Sequence, residues 1–207
     1  MRHPPKLLRA TLTASLVLVA TAGAGVAGPL EDGDAAFRKR DYPTALQLLR
    51  PLAEQGFAKA QYDLGAMYSS GLGVARDYAE AVKWYRLAAA VGFAKAQYGL
   101  GTMYARGEGV PQDYAEALTW YRLSADQGFV GAQYTLGELY AKGEGVPRDY
   151  VVAHMWYSLA AAQAERDGGD LSKSAAAARD KVASKMTPAQ IAEAQKLARE
   201  WKPKPEG

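Results

Sequence analysis

AKAQYDLGAMYSSGLGVARDYAEAVKWYRLAAAVGF, residues 58–93, decides the fold, because two similar copies follow it directly. Residues 94–129 read AKAQYGLGTMYARGEGVPQDYAEALTWYRLSADQGF, and residues 130–165 read VGAQYTLGELYAKGEGVPRDYVVAHMWYSLAAAQAE. Asp77-Tyr78, Asp113-Tyr114 and Asp149-Tyr150 fall 36 residues apart, and Asp41-Tyr42 extends the series upstream. Self-similarity at a fixed period of a few tens of residues is the mark of a stacked repeat.

Within each copy the pattern is that of two helices and a reversing turn. The first, helix A, carries Ala60, Tyr62, Leu64, Met67 and Tyr68 at mixed spacings of three and four, and Gly71, Gly73 and Val74 then break it. Glycine adopts positive φ without a steric penalty, so two glycines in three residues mark a reversal. Asp77 with Glu80, and Asp113 with Glu116, read as capping boxes that open helix B. In the third copy Val152 replaces the glutamate, so half of that box is lost. Helix B carries Ala81, Trp84, Tyr85, Ala88 and Ala89, and its equivalents recur through Trp120 to Trp156. These aromatics read as core filling between close helices, and Trp120, in the central copy, is expected to be buried. Gly65, Gly101 and Gly137 stand mid-helix, where glycine costs roughly 1 kcal/mol against alanine. The recurrence points to a packing reason, read here as contact with the alanine face of a helix B.

The set Ala-x-x-x-Leu-Gly-x-Met/Leu-Tyr, Gly-x-Gly-Val, Asp-Tyr, Trp-Tyr and Ala-Ala-x-x-Gly resembles the Sel1-like repeat, a relative of the tetratricopeptide repeat. The resemblance implies an all-α fold, a right-handed α-solenoid of antiparallel helix pairs. It also implies a concave face, lined by the A helices, that holds protein or peptide partners. Repeats occupy 58–93, 94–129 and 130–165, and residues 28–57 read as a partial leading repeat. There Leu48 replaces the tryptophan and no Gly-x-Gly loop is present. Solenoid ends need polar caps. Residues 166–201 are expected to form a C-terminal helical cap. Ala164 stands where Gly92 and Gly128 end the earlier helices, so the third helix B is expected to run on towards Gly168-Gly169. Helices from about Leu171 to Lys185 and from Thr187 to about Trp201 complete the cap, and residues 202–207 are read as a flexible tail.

Residues 1–27 have the plan of a secretory signal peptide. Arg2, Lys6 and Arg9 precede an apolar stretch over 10–20, and Ala22-Gly23-Ala24 and Gly25-Val26-Ala27 are small-residue cleavage sites, the second preferred. The apolar stretch is shorter than the ~20 residues a membrane span takes, so no stable membrane insertion is expected after cleavage. The chain has no cysteine for a lipid anchor, a disulfide or thiolate chemistry. The expected location is the periplasm or the medium of a bacterium. Removing the segment leaves 25 − 3 = 22 basic residues against 22 acidic ones. That balance leaves no electrostatic footprint for nucleic acid.

No catalytic constellation emerges. His154 is the one histidine beyond the leader; it occupies the packing position of Val82 and Leu118, and no HExxH or second histidine accompanies it. The Gly-x-Gly-Val loops lack the strand and the Lys-Ser/Thr of a phosphate-binding loop. A Ser-x-x-Lys set and a Gly-x-Ser-x-Gly elbow are likewise missing. Asp77, Asp113 and Asp149 are caps, and the glutamates are spread along the units. The expectation is therefore a non-enzymatic scaffold without metal or cofactor, holding a protein or peptide. A cell-wall or polysaccharide-binding accessory, and less favourably a hydrolase of peptidoglycan or antibiotics, are the alternatives. Three helix A positions vary between copies: Lys59/Lys95/Gly131, Asp63/Gly99/Thr135 and Ala66/Thr102/Glu138. Variation on a fixed scaffold is what a binding face shows, so Asp63, Thr102, Thr135 and Glu138 are the expected groove residues.

Overall fold

Paired glycines turn the chain back in each copy, and the rest of the architecture follows from that turn. The computed structural model describes residues 28–166 and 171–204. Among the described residues there are ten helices and no strand: α1 (Pro29–Arg38), α2 (Tyr42–Glu54), α3 (Ala58–Ser70), α4 (Tyr78–Ala90), α5 (Ala94–Arg106), α6 (Tyr114–Asp126), α7 (Val130–Lys142), α8 (Tyr150–Arg166), α9 (Leu171–Ala183) and α10 (Pro188–Glu200). The expected signal peptide and Gly168-Gly169 lie outside the described residues. Odd-numbered α1 to α7 are A helices and even-numbered α2 to α8 are B helices, stacked as an all-α solenoid.

In the central copy α5 stops at Gly107, which takes φ of 68° and lets the helix end in the left-handed region. Gly109 has a second reason to be glycine. A Cβ there would stand 2.3 Å from the carbonyl oxygen of Tyr78, because this loop lies on the first residue of the preceding B helix. The capping boxes form only in part. Asp113 accepts from the N–H groups of Ala115 and Glu116 at 2.9 and 3.0 Å. Its own N–H donates to the Tyr104 carbonyl at 3.0 Å, and the N–H of Asp77 and Asp149 does the same to Tyr68 and Tyr140. The glutamate therefore has no N–H to reach, and Glu80 pairs instead with Lys83 at 2.7 Å. Thr187 and Gln190, in the cap, do form the full reciprocal box.

Buried clusters straddle the unit boundaries. Ala81, Tyr85 and Ala88 of α4 share one with Ala96, Leu100 and Met103 of α5. Leu64, Leu100 and Leu136 are wholly buried, and each contributes about 1.5–3 kcal/mol by leaving water. Two polar ladders cross the same boundaries. Gln61, Gln97 and Gln133, all buried, donate to the carbonyls of Ala53, Ala89 and Ala125 at the end of the preceding B helix. Arg50, Arg86 and Arg122 donate to the hydroxyls of Tyr68, Tyr104 and Tyr140 at 2.7–2.9 Å.

The mid-helix glycines meet tyrosine, where the alanine face was expected. A Cβ on Gly65 or Gly137 would stand 2.6 Å from the ring of Tyr85 or Tyr157, and one on Gly101 would stand 2.9 Å from Tyr121. The glycine is what lets a tyrosine ring lie flat on the A-helix backbone.

The leading unit is a complete helix pair with a shorter turn. Gly33 of α1 faces Leu49 of α2 as Gly65 faces Tyr85, and the Asp41 N–H donates to the Ala36 carbonyl as Asp77 does to Tyr68. From glycine to capping aspartate takes 41 − 33 = 8 residues here and 77 − 65 = 12 in the next copy. Arg40, at φ of 62°, makes the reversal in place of a glycine. At the other end α8 continues to Arg166, α9 stands against α7 and α8 in the place of a further A helix, and α10 folds back onto α8. Trp156 is the fully buried tryptophan, whereas Trp120 is only half-buried beside an open groove. The tail expected to be flexible is tied down as far as Lys204, whose N–H donates to the Asp126 carbonyl at 2.7 Å and whose ammonium meets the Asp126 carboxylate at 2.6 Å.

Candidate interaction surface

A helices come close across unit boundaries, α3 to α5 and α7 to α9. Between α3 and α5 lies a groove of about 260 Å³ walled by Tyr62, Tyr85, Tyr98 and Thr102, with Lys95 and Arg106 at its sides. Between α7 and α9 lies a second, of about 240 Å³, walled by Tyr134 and Tyr157, with Glu138 and Lys142 on α7 and with Lys181 and Lys185 on the other side. Tyr62 and Tyr134, Tyr85 and Tyr157 are 72 residues apart, two periods, so the same pair of tyrosines walls both grooves.

The tyrosines are set by packing. Tyr62 leans on Tyr85 at 5.9 Å and on Phe93 at 5.5 Å between ring centres, and Tyr98 repeats this with Tyr121 and Phe129. Burial pushes the Tyr85 phenol up to about 12, partly opposed by its hydrogen bond with Ser69. It therefore stays neutral and available as a donor across the physiological range.

The four expected groove residues all lie on A helices, but they do not share a cavity. Thr102 lines the first groove and Glu138 the second. Asp63 is buried at 7% exposure, and its carboxylate meets Lys59 at 2.9 Å. Lys59 also bonds Asp34 of α1, which makes a carboxylate–ammonium–carboxylate chain between the first two units. Burial raises the Asp63 carboxyl above the usual range, against the pull of Lys59. Burial pulls the Lys59 ammonium down, but the bonds to both carboxylates outweigh it and leave it raised. Thr102 is committed internally too: its hydroxyl donates to the Tyr98 carbonyl at 3.0 Å and accepts from Tyr121 at 3.3 Å. Thr135 is half-buried and lines neither groove, and Glu138 is half-buried and 3.9 Å from Lys142.

Charge distinguishes the grooves from the Lys59 cluster. Lys95 has no ion pair among the described residues, and Arg106 reaches Glu108 only at 4.0 Å. In the second groove Lys181 and Lys185 also lack ion pairs among the described residues, and Lys185 sits 5.4 Å over the ring of Tyr150. The sequence reading missed these groups. Arg106 and Lys142 share a repeat position that marks a basic column, but Lys181 and Lys185 belong to the cap and follow no period.

His154 is buried, and the Ser158 hydroxyl lies 3.4 Å from its Nδ1. That hydroxyl donates to the backbone carbonyl of His154 at 2.8 Å, the ordinary bond of a helical serine four residues on. Among the described residues no group of three or more metal-ligating side chains gathers, and no helix is long and apolar enough to cross a membrane.

The Sel1 repeat model matches residues 26–57, 58–93, 94–129 and 130–165, so it counts the short leading unit as a full member. This chain belongs to the Sel1 repeat family. Members of the family generally mediate protein–protein interaction. Among solved structures the chain is similar to a Sel1 repeat protein from Oxalobacter formigenes. The two are 35% identical over 67% of this chain and 55% of that one, with a TM-score of 0.63. It is also similar to a protective antigen present in uropathogenic Escherichia coli strains that displays an SLR fold. There the identity is 33% over 82% of this chain and 37% of that one, with a TM-score of 0.69. The Sel1 chain therefore spans 55% and 37% of the length of these two relatives. No curated protein matches it.

Proposed function

We propose that this Sel1 repeat chain is an exported, non-enzymatic scaffold that holds an acidic protein segment in the groove along its A helices. The recurrence of one tyrosine-walled, basic-edged groove at α3/α5 and α7/α9 carries this reading. A rigid array loses little conformational entropy on binding, so modest contacts summed along several units suffice. Lys95, Arg106, Lys181 and Lys185 supply the attraction, and neutral tyrosine hydroxyls supply hydrogen bonds. Export rests on the charge and apolar plan of residues 1–27, and points to an envelope or secreted partner. The test is capture from a native envelope extract with the chain from residue 28 onward, followed by crosslinking and mass spectrometry. The expected result is one enriched protein crosslinked through Lys95, Lys181 or Lys185, lost when all three become glutamate while the melting temperature stays unchanged. Capture that survives the charge reversal refutes the groove, and retention on a polysaccharide resin without an enriched protein supports the glycan-binding alternative.

A further inference from the structure

We propose a second docking site, on the B-helix side between α4 and α6, for an extended protein segment anchored by a tryptophan. The chain itself shows what fills such a groove one unit further on. After α10 the backbone becomes extended, and the Trp201 ring packs edge-on against Trp156, centres 6.4 Å apart. It clusters there with Leu159 and stands 3.9 Å from where a Cβ on Gly128 would be. Subtracting one period of 36 residues gives Trp120, Leu123 and Gly92. These three line an open cavity of about 450 Å³, and Lys204, the end of the strap, reaches its rim.

The open groove has the surface of a site left uncovered. Leu123 and Val91 are 43% and 58% exposed. These are two of the five exposed large apolar side chains among the described residues, and both line the cavity. Its polar lining is also incomplete. The Gln127 side-chain N–H group donates to the Gly92 carbonyl and to Gln97, both at 2.8 Å, while its buried Oε1 has no partner. The unpartnered Trp120 Nε1 adds nothing, because Trp84 and Trp156 share it.

The occupant proposed is a segment of another molecule, since every tryptophan of this sequence already has a place. The chain has four tryptophans: Trp84, Trp120 and Trp156 form the repeat column, and Trp201 already fills the α6/α8 groove. The site is independent of the A-helix groove and stands whether or not that reading does.

The test uses a fluorescent peptide with the sequence of residues 198–204, titrated into the full chain and followed by polarisation. Saturable binding of one peptide per chain is expected. It should weaken about tenfold or more with Leu123→Glu, or when alanine replaces the peptide's tryptophan. Leu123 is exposed enough that the melting temperature should not change, which separates lost binding from lost folding. Three results overturn the proposal. The first is no saturation. The second is binding that survives Leu123→Glu, which would mean the peptide merely displaces Trp201. The third is a dimer that forms with rising concentration and excludes the peptide, which would mean a second copy covers this face.

Discussion

Replacing Gly65 by alanine tests the central packing contact. The new Cβ would stand 2.6 Å from Cδ1 and Cε1 of Tyr85 and 3.1 Å from its Cγ. Carbon atoms settle at about 3.5–4.0 Å, so the ring must retreat by roughly 1 Å. It has little room to do so, being 6% exposed, against Tyr62 and within 3.3 Å of the Ser69 hydroxyl. On the α5 side it already lies where a Cβ on Gly99 would meet it at 3.1 Å. Overpacking of this kind costs about 1–3 kcal/mol, and the collision involves the near end of the ring, so the upper half of that range applies. Alanine returns about 1 kcal/mol of helix propensity. The net loss is about 1–2 kcal/mol, which for a chain of this length lowers the melting temperature by roughly 2–8 °C. Thermal melts followed by circular dichroism measure it. Gly99→Ala is the internal comparison: it touches the far end of the same ring, so strain and propensity should cancel to within about 0.5 kcal/mol. The two together should lose more than their sum, because the ring is then closed in from both sides. A Gly65→Ala chain that melts at or above the parent refutes the account of the whole glycine column.

Asp113→Ala removes the cap of α6 and should cost about 1 kcal/mol; Glu116→Ala should change stability by less than about 0.5 kcal/mol, because the reciprocal bond is not made. Urea melts of the two variants distinguish a half box from a full one. Burial lowers the His154 pKa below its ordinary 6.5, with Arg179 adding to the shift and Asp180 opposing it. The unfolded chain therefore takes up the proton first as pH falls. The neutral ring's contribution is complete above about 6.5 and is lost as pH drops from there towards the folded value. His154→Gln should lose less stability than the parent between about pH 7.5 and 5, read from melting temperatures across that window. Gln133→Leu strands the Ala125 carbonyl that Gln133 holds at 3.3 Å. The Gln133 Oε1 is itself buried without a partner, so the cost should sit near the lower end of the 1–3 kcal/mol range for an orphaned group. The midpoint of a urea titration reads it.

Most of the helices and turns were legible because the repeat wrote them several times. Gly-x-Gly loops, capping aspartates and the 36-residue period placed α3 to α8, and Thr187-Pro188 placed the start of α10. Contacts were less legible than elements. The recurrence of Gly65, Gly101 and Gly137 announced a packing reason, but the partner depended on helix rotation, which brought tyrosine there instead of alanine. The leading unit was read as partial because a four-residue deletion removed its loop glycines and Leu48 and Leu49 replaced the aromatics. Gly33 still marked it, against a smaller partner. Asp63 shows the limit for surface residues. It varies between copies, as a binding residue would, but here the cause is Asp34 and Lys59 in the first boundary. Variation along a repeat records a difference in neighbours as readily as contact with solvent. Lys181 and Lys185 had no equivalents to compare, so nothing in the period marked them.

The strap formed by Trp201 and Lys204 also has a mechanical meaning. It bridges α8 and α6, so the angle between the last two units is braced on the B-helix side. The junction between α4 and α6 lacks that strap and is crossed instead by side-chain bonds, from Gln127 to the Gly92 carbonyl and to Gln97 and from Ser124 to the Ala94 carbonyl. The last junction is thus held by an apolar filler and the one before it by polar bonds around an open space. A segment wedged into that space would add the missing filler and restrain the spacing of the A helices on the opposite side. By linkage, whatever the inner grooves hold would then bias the outer one in return.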